Sequence, residues 1–288
     1  MDKLVTSRFA PSPTGPLHLG HALSAVLAHD RARAAGGRFL LRIEDTDTGR
    51  CRAEFVDGIF ADLAWLGLGW DEVVVQSERL GLYDAALERL KAMGVAYPCF
   101  CTRGEIAREV AASLSAPHGP DGPLYPGTCR GADAGARLAA GEAHSWRLDA
   151  GRAAALAGPL TFAEEGVGDV AVEPALLGDL VLKGRDRPAS YHLAAVVDDA
   201  AQGVSHVVRG RDILPSTHPQ RLIQALLGIA PPVYRHHALV GDADGKRLAK
   251  RHGAPTLAAW RVAGKDGHAL ANYLRDGDLP AGFSWATS

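Results

Sequence analysis

Between residues 4 and 93 the sequence alternates short apolar runs with longer stretches of helical periodicity, and this alternation narrows the fold more than any other feature. Leu4 to Phe9 reads as a strand, and Pro11, Pro13, Gly15 and Pro16 then force a loop. From about Leu17 to Ala34, residues Leu19, Leu23, Val26 and Leu27 fall on one helical face, and Gly36-Gly37 follows as a helix C-cap would. Arg38 to Glu44 (RFLLRIE) has a nearly continuous apolar middle, which suits a parallel strand covered on both faces. Glu54 to Leu66 and Leu80 to Met93 read as helices. Strand, helix, strand, helix in that order predicts an α/β fold with a doubly wound parallel sheet.

The middle of the chain breaks this rhythm. Residues 97 to 135 hold three of the four cysteines and many Gly and Pro, the composition of an inserted subdomain. The α/β pattern resumes near Leu176, with apolar strand candidates at 191–198 and 204–208, a helix at Thr217 to Leu227 and a short strand at His237 to Val240. A loop from Gly241 to Gly253 follows, and the remaining residues read as a few short helices. The expected division is therefore 1–96 and 136–240 for a catalytic domain in two halves, 97–135 for the insert, and 241–288 for a basic loop with a short helical segment.

Composition excludes little but sets limits. At 288 residues with 47% hydrophobic and 22% charged side chains, the chain can build an ordinary core. No apolar run approaches the roughly 20 residues that cross a bilayer, and the N-terminus lacks the apolar stretch of a leader peptide. A cytoplasmic protein with cysteines in a reducing setting is expected. The net charge of −2 lends no support to a nucleic-acid binder, although local patches matter more than the sum.

Two segments could carry phosphate chemistry, the second of them standing even, taken alone, with a solvated charge run. The first is Pro11-Ser12-Pro13-Thr14-Gly15-Pro16-Leu17-His18-Leu19-Gly20-His21. It leaves the end of a first strand and opens a helix, the place where α/β sheets bind ligands and where helix N–H groups favour anions. His18 and His21, three apart, are expected on one helical face, with Gly20 leaving room for a nucleoside. A bare pair of this kind is usually two surface histidines; the Pro/Gly loop before it turns the balance toward a binding site. The second is Gly245-Lys246-Arg247-Leu248-Ala249-Lys250-Arg251, whose cations could clamp a polyphosphate. Gly241 to Lys246 imitates a P-loop but has three residues between its glycines and no hydroxyl after Lys246. Dinucleotide binding has no glycine fingerprint here. Arg8, Glu44, Tyr191 and Arg209 are scattered; an Arg could hold a carboxylate and Glu44 an ammonium.

Cys99, Cys101 and Cys129 suggest zinc rather than a disulfide. Three thiolates leave a fourth position open. Chemistry alone nominates His118 ahead of Tyr125, because a phenol gives up its proton less readily.

Taken together the motifs resemble those of class I aminoacyl-tRNA synthetases, in the glutamate branch. Arg8-Phe9-Ala10-Pro11-Ser12-Pro13-Thr14-Gly15 with His18-Leu19-Gly20-His21 is similar to that branch's HIGH signature. Arg42-Ile43-Glu44-Asp45-Thr46-Asp47, Val197-Asp198-Asp199, Val208-Arg209-Gly210 and Asp212 match it too, and Arg247-Leu248-Ala249-Lys250-Arg251 resembles the KMSKS-type loop. The likeness spans roughly residues 5 to 256, with Arg247 and Ala249 standing where the loop usually has Lys and Ser. The chain ends at Ser288, where full-length glutamyl-tRNA synthetases continue into an anticodon-binding region. With the Cys-x-Cys insert, this resembles the truncated family that glutamylates queuosine in tRNA(Asp).

That resemblance implies a Rossmann-type catalytic domain with no anticodon-binding domain. It implies ATP with Mg2+ held by His18, Gly20, His21, Arg247 and Lys250, with His18, His21 and Lys250 catalytic. L-glutamate falls to Arg8, Ser12, Glu44, Tyr191 and Arg209. One structural Zn2+ falls to Cys99, Cys101, Tyr125 and Cys129, and it is the resemblance that moves the fourth ligand from His118 to Tyr125. The implied reaction is tRNA-independent activation of glutamate, then transfer to queuosine presented by the anticodon stem-loop of tRNA(Asp), by a monomer. Arg185, Arg187, Arg211 and Arg251 are candidates for phosphate contacts. The alternatives are a short glutamyl-tRNA synthetase charging the tRNA 3′ end, and a degenerate paralogue that only binds tRNA.

Overall fold

The computed structural model describes residues 4–112, 118–119, 122–248 and 255–287. In chain order the strands are β1 (Thr6–Phe9), β2 (Arg38–Ile43), β3 (Glu72–Val75), β4 (Ala96–Cys99), β5 (His118–Gly119), β6 (Gly122–Pro123), β7 (Ser145–Leu148), β8 (Thr161–Glu164), β9 (Gly168–Ala171), β10 (Val181–Lys183), β11 (His206–Gly210), β12 (Val233–His237), β13 (Val240–Asp242) and β14 (Phe283–Trp285). The helices are α1 (Leu19–Arg33), α2 (Ala53–Trp65), α3 (Leu80–Ala92), α4 (Arg103–Ala112), α5 (Gly135–Ala139), α6 (Ala150–Ala157), α7 (Tyr191–Ala201), α8 (Thr217–Leu226), α9 (Leu257–Val262) and α10 (Gly267–Arg275).

The expected α/β alternation is present. β1, β2 and β3 pair in parallel in that order, and five of the six β2 residues are buried, as a strand covered on both faces requires. The return from α1 to β2 needs glycine: a Cβ on Gly37 would lie 1.9 Å from the Val5 carbonyl oxygen. A second sheet runs β11-β12-β8-β9, parallel except for the β8–β9 hairpin. The two sheets meet where the Ser205 N–H donates to the Thr6 carbonyl at 2.9 Å. From β1 the chain winds outward to β2 and β3, then returns to build outward from β11 on the other side. The carboxyl ends of β1 and β11 therefore flank a switch point, where this kind of sheet opens a crevice. The largest apolar cluster packs α1 against β2 and reaches α2 and α10.

The cysteine-bearing segment hangs from a separate antiparallel sheet, β10-β7-β4. α4, α5 and the short β5–β6 pair belong to the same region.

Three expectations need correction. Residues 191–198 are not a strand but most of α7. Ser190 caps that helix by accepting from the Leu193 N–H. Asp198 pins it, accepting from Arg79 at 2.7 Å and from Gln76 and Tyr83 at 2.8 Å. The apolar run misleads because α7 is buried on most sides, and a buried helix and a buried strand look alike in sequence. The short strand expected at His237 to Val240 is two strands, β12 and β13, flanking that position. The C-terminal stretch holds β14 as well as two helices; β14 pairs antiparallel with β13, and three residues are too few to show a period.

Among the described residues no helix is long and apolar enough to cross a membrane.

Candidate active site

At the switch point lies a cavity of about 330 Å³, lined from β1 by Arg8, from the following loop by Ser12, from α1 and its N-cap by His18, Gly20 and His21, and by Glu44, Tyr191, Arg209 and Arg247. Residues scattered over 240 positions of sequence are thus brought to one place.

The two imidazoles come together as expected, although only His21 lies within α1. His18 is the N-cap, with extended backbone, and His21 is the third residue of α1. They cap each other reciprocally: His18 Nδ1 accepts from the Gly20 N–H, and His21 Nδ1 accepts from the His18 N–H, both at 3.1 Å. The rings lie 3.9 Å apart between centroids. With Nδ1 accepting in each, the proton of the neutral ring is on Nε2. The caps thereby fix both tautomers as Nε2–H donors at the mouth of a helix N-terminus. Gly20 serves this arrangement: a Cβ there would meet the His18 ring at 3.1 Å.

The opposite wall is a set of buried charges. Arg8 donates through Nε to Asp199 at 3.0 Å, and the fully buried Arg42 donates to the same oxygen at 2.5 Å. Arg42 also lies 3.6 Å from Glu44. Burial pushes the Glu44 carboxyl up to about 7, against the pull of Arg42 and Arg8. Arg209 differs from Arg8 and Arg42. It is buried, and its bonds go to neutral groups: Tyr191 Oη at 3.0 Å, Gln220 at 2.9 Å, Thr217 at 2.7 Å and His236 Nε2 at 3.1 Å. Among the described residues no carboxylate contacts it. A buried guanidinium without an anion is costly unless a ligand supplies one.

The basic segment approaches the same cavity. The Leu248 N–H donates to Val240 at 3.0 Å on one side of it, and on the other the Leu257 N–H donates to Leu17, beside a bridge between Thr256 and His18. Arg247 lines the cavity and pairs with Asp212. Lys250 and Arg251, with Ala249, lie outside the described residues, as does the side chain of His118. Of the other arginines considered for phosphate, Arg187 pairs with Asp47 at 2.8 Å and Arg185 donates to the Phe100 carbonyl, while Arg211 is exposed.

The cysteines converge as expected. The sulfurs of Cys99, Cys101 and Cys129 all lie within 4.8 Å of one another. Tyr125 Oη sits among them, 3.3 Å from Cys99 and 3.7 Å from Cys101, with Cys101 and Cys129 3.4 Å apart. Four ligands around zinc at about 2.3 Å would be separated by roughly 3.8 Å, so the donor set fits that metal. Arg147 lies over the Tyr125 ring at 3.9 Å, a cation–π contact that packs the ring beside the thiols.

Residues 4–277 match the family described as tRNA synthetases class I (E and Q), catalytic domain. The chain belongs to this family. It is accordingly an enzyme of the ligase class. Among curated relatives, a glutamyl-Q tRNA(Asp) synthetase of Rhodobacter capsulatus is 49% identical, over 90% of this chain and 95% of its own length. One from Deinococcus radiodurans is 46% identical, over 93% and 87%. A glutamate–tRNA ligase of Nitratidesulfovibrio vulgaris is 42% identical, but this chain covers 56% of it. A crystal structure of a glutamate tRNA ligase from Elizabethkingia meningosepticum, in complex with its amino acid, superposes with a TM-score of 0.78 at 28% identity. This chain spans 94% of its own length and 60% of that structure.

For a class I synthetase, several residues at the crevice escaped the motif reading. Arg42 and Asp199 were visible as parts of matched motifs, but nothing in their spacing assigned them to each other. Thr217, Gln220 and His236, which bond Arg209, and Glu164, which bonds His236, carry no local signal at all. Ser24 and His237, bonded at 2.8 Å within the cavity wall, are likewise joined only by the fold.

Proposed function

We propose that this enzyme joins L-glutamate to ATP as glutamyl-adenylate without needing tRNA, then transfers the glutamate to queuosine at the wobble position of tRNA(Asp). The observation that carries the first step is the pairing, across one crevice, of two fixed imidazole donors with a buried guanidinium that no carboxylate contacts among the described residues. A carboxylate oxygen of glutamate attacks the α-phosphorus of ATP, and pyrophosphate leaves. His18, His21 and Lys250 stabilise charge on the phosphates, with Gly20 and Arg247 completing the nucleotide site and Mg2+ accompanying ATP. Arg209 and Arg8 hold carboxylate, Tyr191 and Ser12 add hydroxyls, and Glu44 takes the ammonium. Holding the reactants together accounts for much of the rate.

In the second step a hydroxyl of the queuosine cyclopentene ring attacks the carbonyl of the mixed anhydride, its proton is lost, and AMP departs. The names and near full-length coverage of the glutamyl-Q tRNA(Asp) synthetase relatives support this acceptor. The anticodon stem-loop enters the crevice with its modified base unstacked, as loop bases can be. Cys99, Cys101, Tyr125 and Cys129 hold one zinc, which fixes the insert. The enzyme works as a cytoplasmic monomer.

Two measurements test this. ATP–pyrophosphate exchange should require glutamate and proceed without tRNA; no exchange at all would leave a tRNA-binding paralogue. Labelled glutamate should enter queuosine-containing tRNA(Asp) that lacks its 3′-terminal adenosine, and should not enter the same tRNA carrying guanosine at the wobble position. Loss of labelling when the terminal adenosine is removed would show an ordinary 3′-end ligase instead.

A further inference from the structure

Arg209 owes its orientation to residues that no motif contains. It sits on β11 in register with His236 of β12, and β12 in turn pairs with β8 at Glu164. The three side chains form a row across the sheet. Arg209 Nε donates to His236 Nε2 at 3.1 Å. Arg is always a donor, so His236 Nε2 must accept and its proton must be on Nδ1. That proton is directed to Glu164 Oε2 at 2.8 Å. The other Glu164 oxygen accepts from the His236 backbone N–H at 2.7 Å. Both side chains are buried, His236 at 1% exposure and Glu164 at 7%. Tyr234 stacks on His236 with an interplanar angle of 8°, and the Arg209 guanidinium lies 5.4 Å from the Tyr234 ring centroid.

We propose that His236 is a positioning residue: oriented by Glu164, its neutral imidazole stands between that carboxylate and Arg209 and keeps the guanidinium aimed at the carboxylate of the amino-acid substrate. This rests on the reading of Arg209 as a carboxylate anchor.

Two physical points carry it. First, a carboxylate in direct contact with Arg209 would satisfy the cation internally, as Asp199 does for the fully buried Arg42. The imidazole ring holds Glu164 away, so the strongest partner Arg209 can find is a ligand. Second, Glu164 fixes the tautomer: with both its oxygens accepting from His236, only Nε2 can face Arg209 as an acceptor. Burial, and then Arg209 itself, push the His236 ring down to about 4, so it stays neutral where the enzyme works. A protonated ring would have no acceptor to offer Arg209.

The test compares four variants of the full chain by ATP–pyrophosphate exchange, with KM for glutamate, KM for ATP and kcat measured separately and folding checked by thermal melting. Arg209→Lys examines the anchor. His236→Leu removes the acceptor. Glu164→Gln leaves one acceptor oxygen for two donors and frees the tautomer. His236→Gln restores an acceptor toward Arg209. We expect His236→Leu to raise KM for glutamate about tenfold or more, the worth of one hydrogen bond to a charged group. Glu164→Gln should raise it about three- to tenfold on the same basis, and His236→Gln should stay within about threefold of wild type. KM for ATP should be unchanged in all three, a split that simple loss of stability would not produce. If His236→Leu does not fold, Glu164→Gln and His236→Gln decide. If Arg209→Lys raises KM for glutamate while His236→Leu or Glu164→Gln leaves it at the wild-type value, the positioning role is wrong. If Arg209→Lys itself has no effect on that KM, the anchor reading fails first.

Discussion

Glu44 should cost the folded enzyme stability, and replacing it should return that stability while destroying glutamate binding. Its carboxyl is pushed from an ordinary value of 4.5 to about 7, first by burial. Each pH step between those two values is worth about 1.4 kcal/mol. Ionised Glu44 therefore destabilises the substrate-free fold by on the order of 3 kcal/mol. The sign follows from proton counting. Between pH 4.5 and 7 the folded state binds this proton and the unfolded state does not, so stability falls as pH rises through that window and is level above it. Glu44→Gln keeps the shape and removes the ionisation. At pH 8 it should melt about 6 °C higher than wild type, at roughly 2 °C per kcal/mol for a chain of this size. At pH 4 the two should coincide. Glutamate should raise the melting temperature of the wild type at pH 8 and leave that of Glu44→Gln unchanged, since the ammonium has lost its anion. KM for glutamate in the wild type should fall as pH rises toward 8, with a midpoint near 7. Differential scanning calorimetry at the two pH values measures this. An equal gain for Glu44→Gln at both pH values would mean that packing, not ionisation, is responsible, and no gain at pH 8 would refute the argument outright.

Two further outcomes follow from the sites. Lys250→Ala should lower glutamate-dependent pyrophosphate exchange about 100-fold or more with folding intact, by loss of one donor to the transition state; wild-type exchange would move the role to Lys246 or Arg247. Protein purified without chelator should contain about one zinc per chain. Tyr125→Phe should weaken its retention, whereas His118→Ala should not, and the reverse pattern in elemental analysis would restore His118 as the fourth ligand.

The sequence by itself determined the local elements of the first half and the chemistry of its signatures. β1, α1 and β2 lie within two residues of where periodicity placed them, because each has the apolar spacing of its own geometry and a Pro or Gly at its ends. The Cys-x-Cys pair pointed, from ligand chemistry alone, to a thiol cluster that could hold a metal, and Cys99, Cys101 and Cys129 do converge. Tertiary structure decided what spacing could not encode. α7 is held in place where Asp198 meets Arg79, Gln76 and Tyr83, more than 110 residues earlier in the chain. Asp199, its neighbour, faces Arg8 and Arg42 instead, so two adjacent identical residues serve different walls. Arg42 and Arg209 look equivalent as sequence letters, yet Arg42 is matched by the buried Asp199 carboxylate, while an imidazole stands between Arg209 and Glu164. Whether a charge is spent within the protein or held for a ligand depends on which strands lie side by side, and that order exists only in the folded sheet.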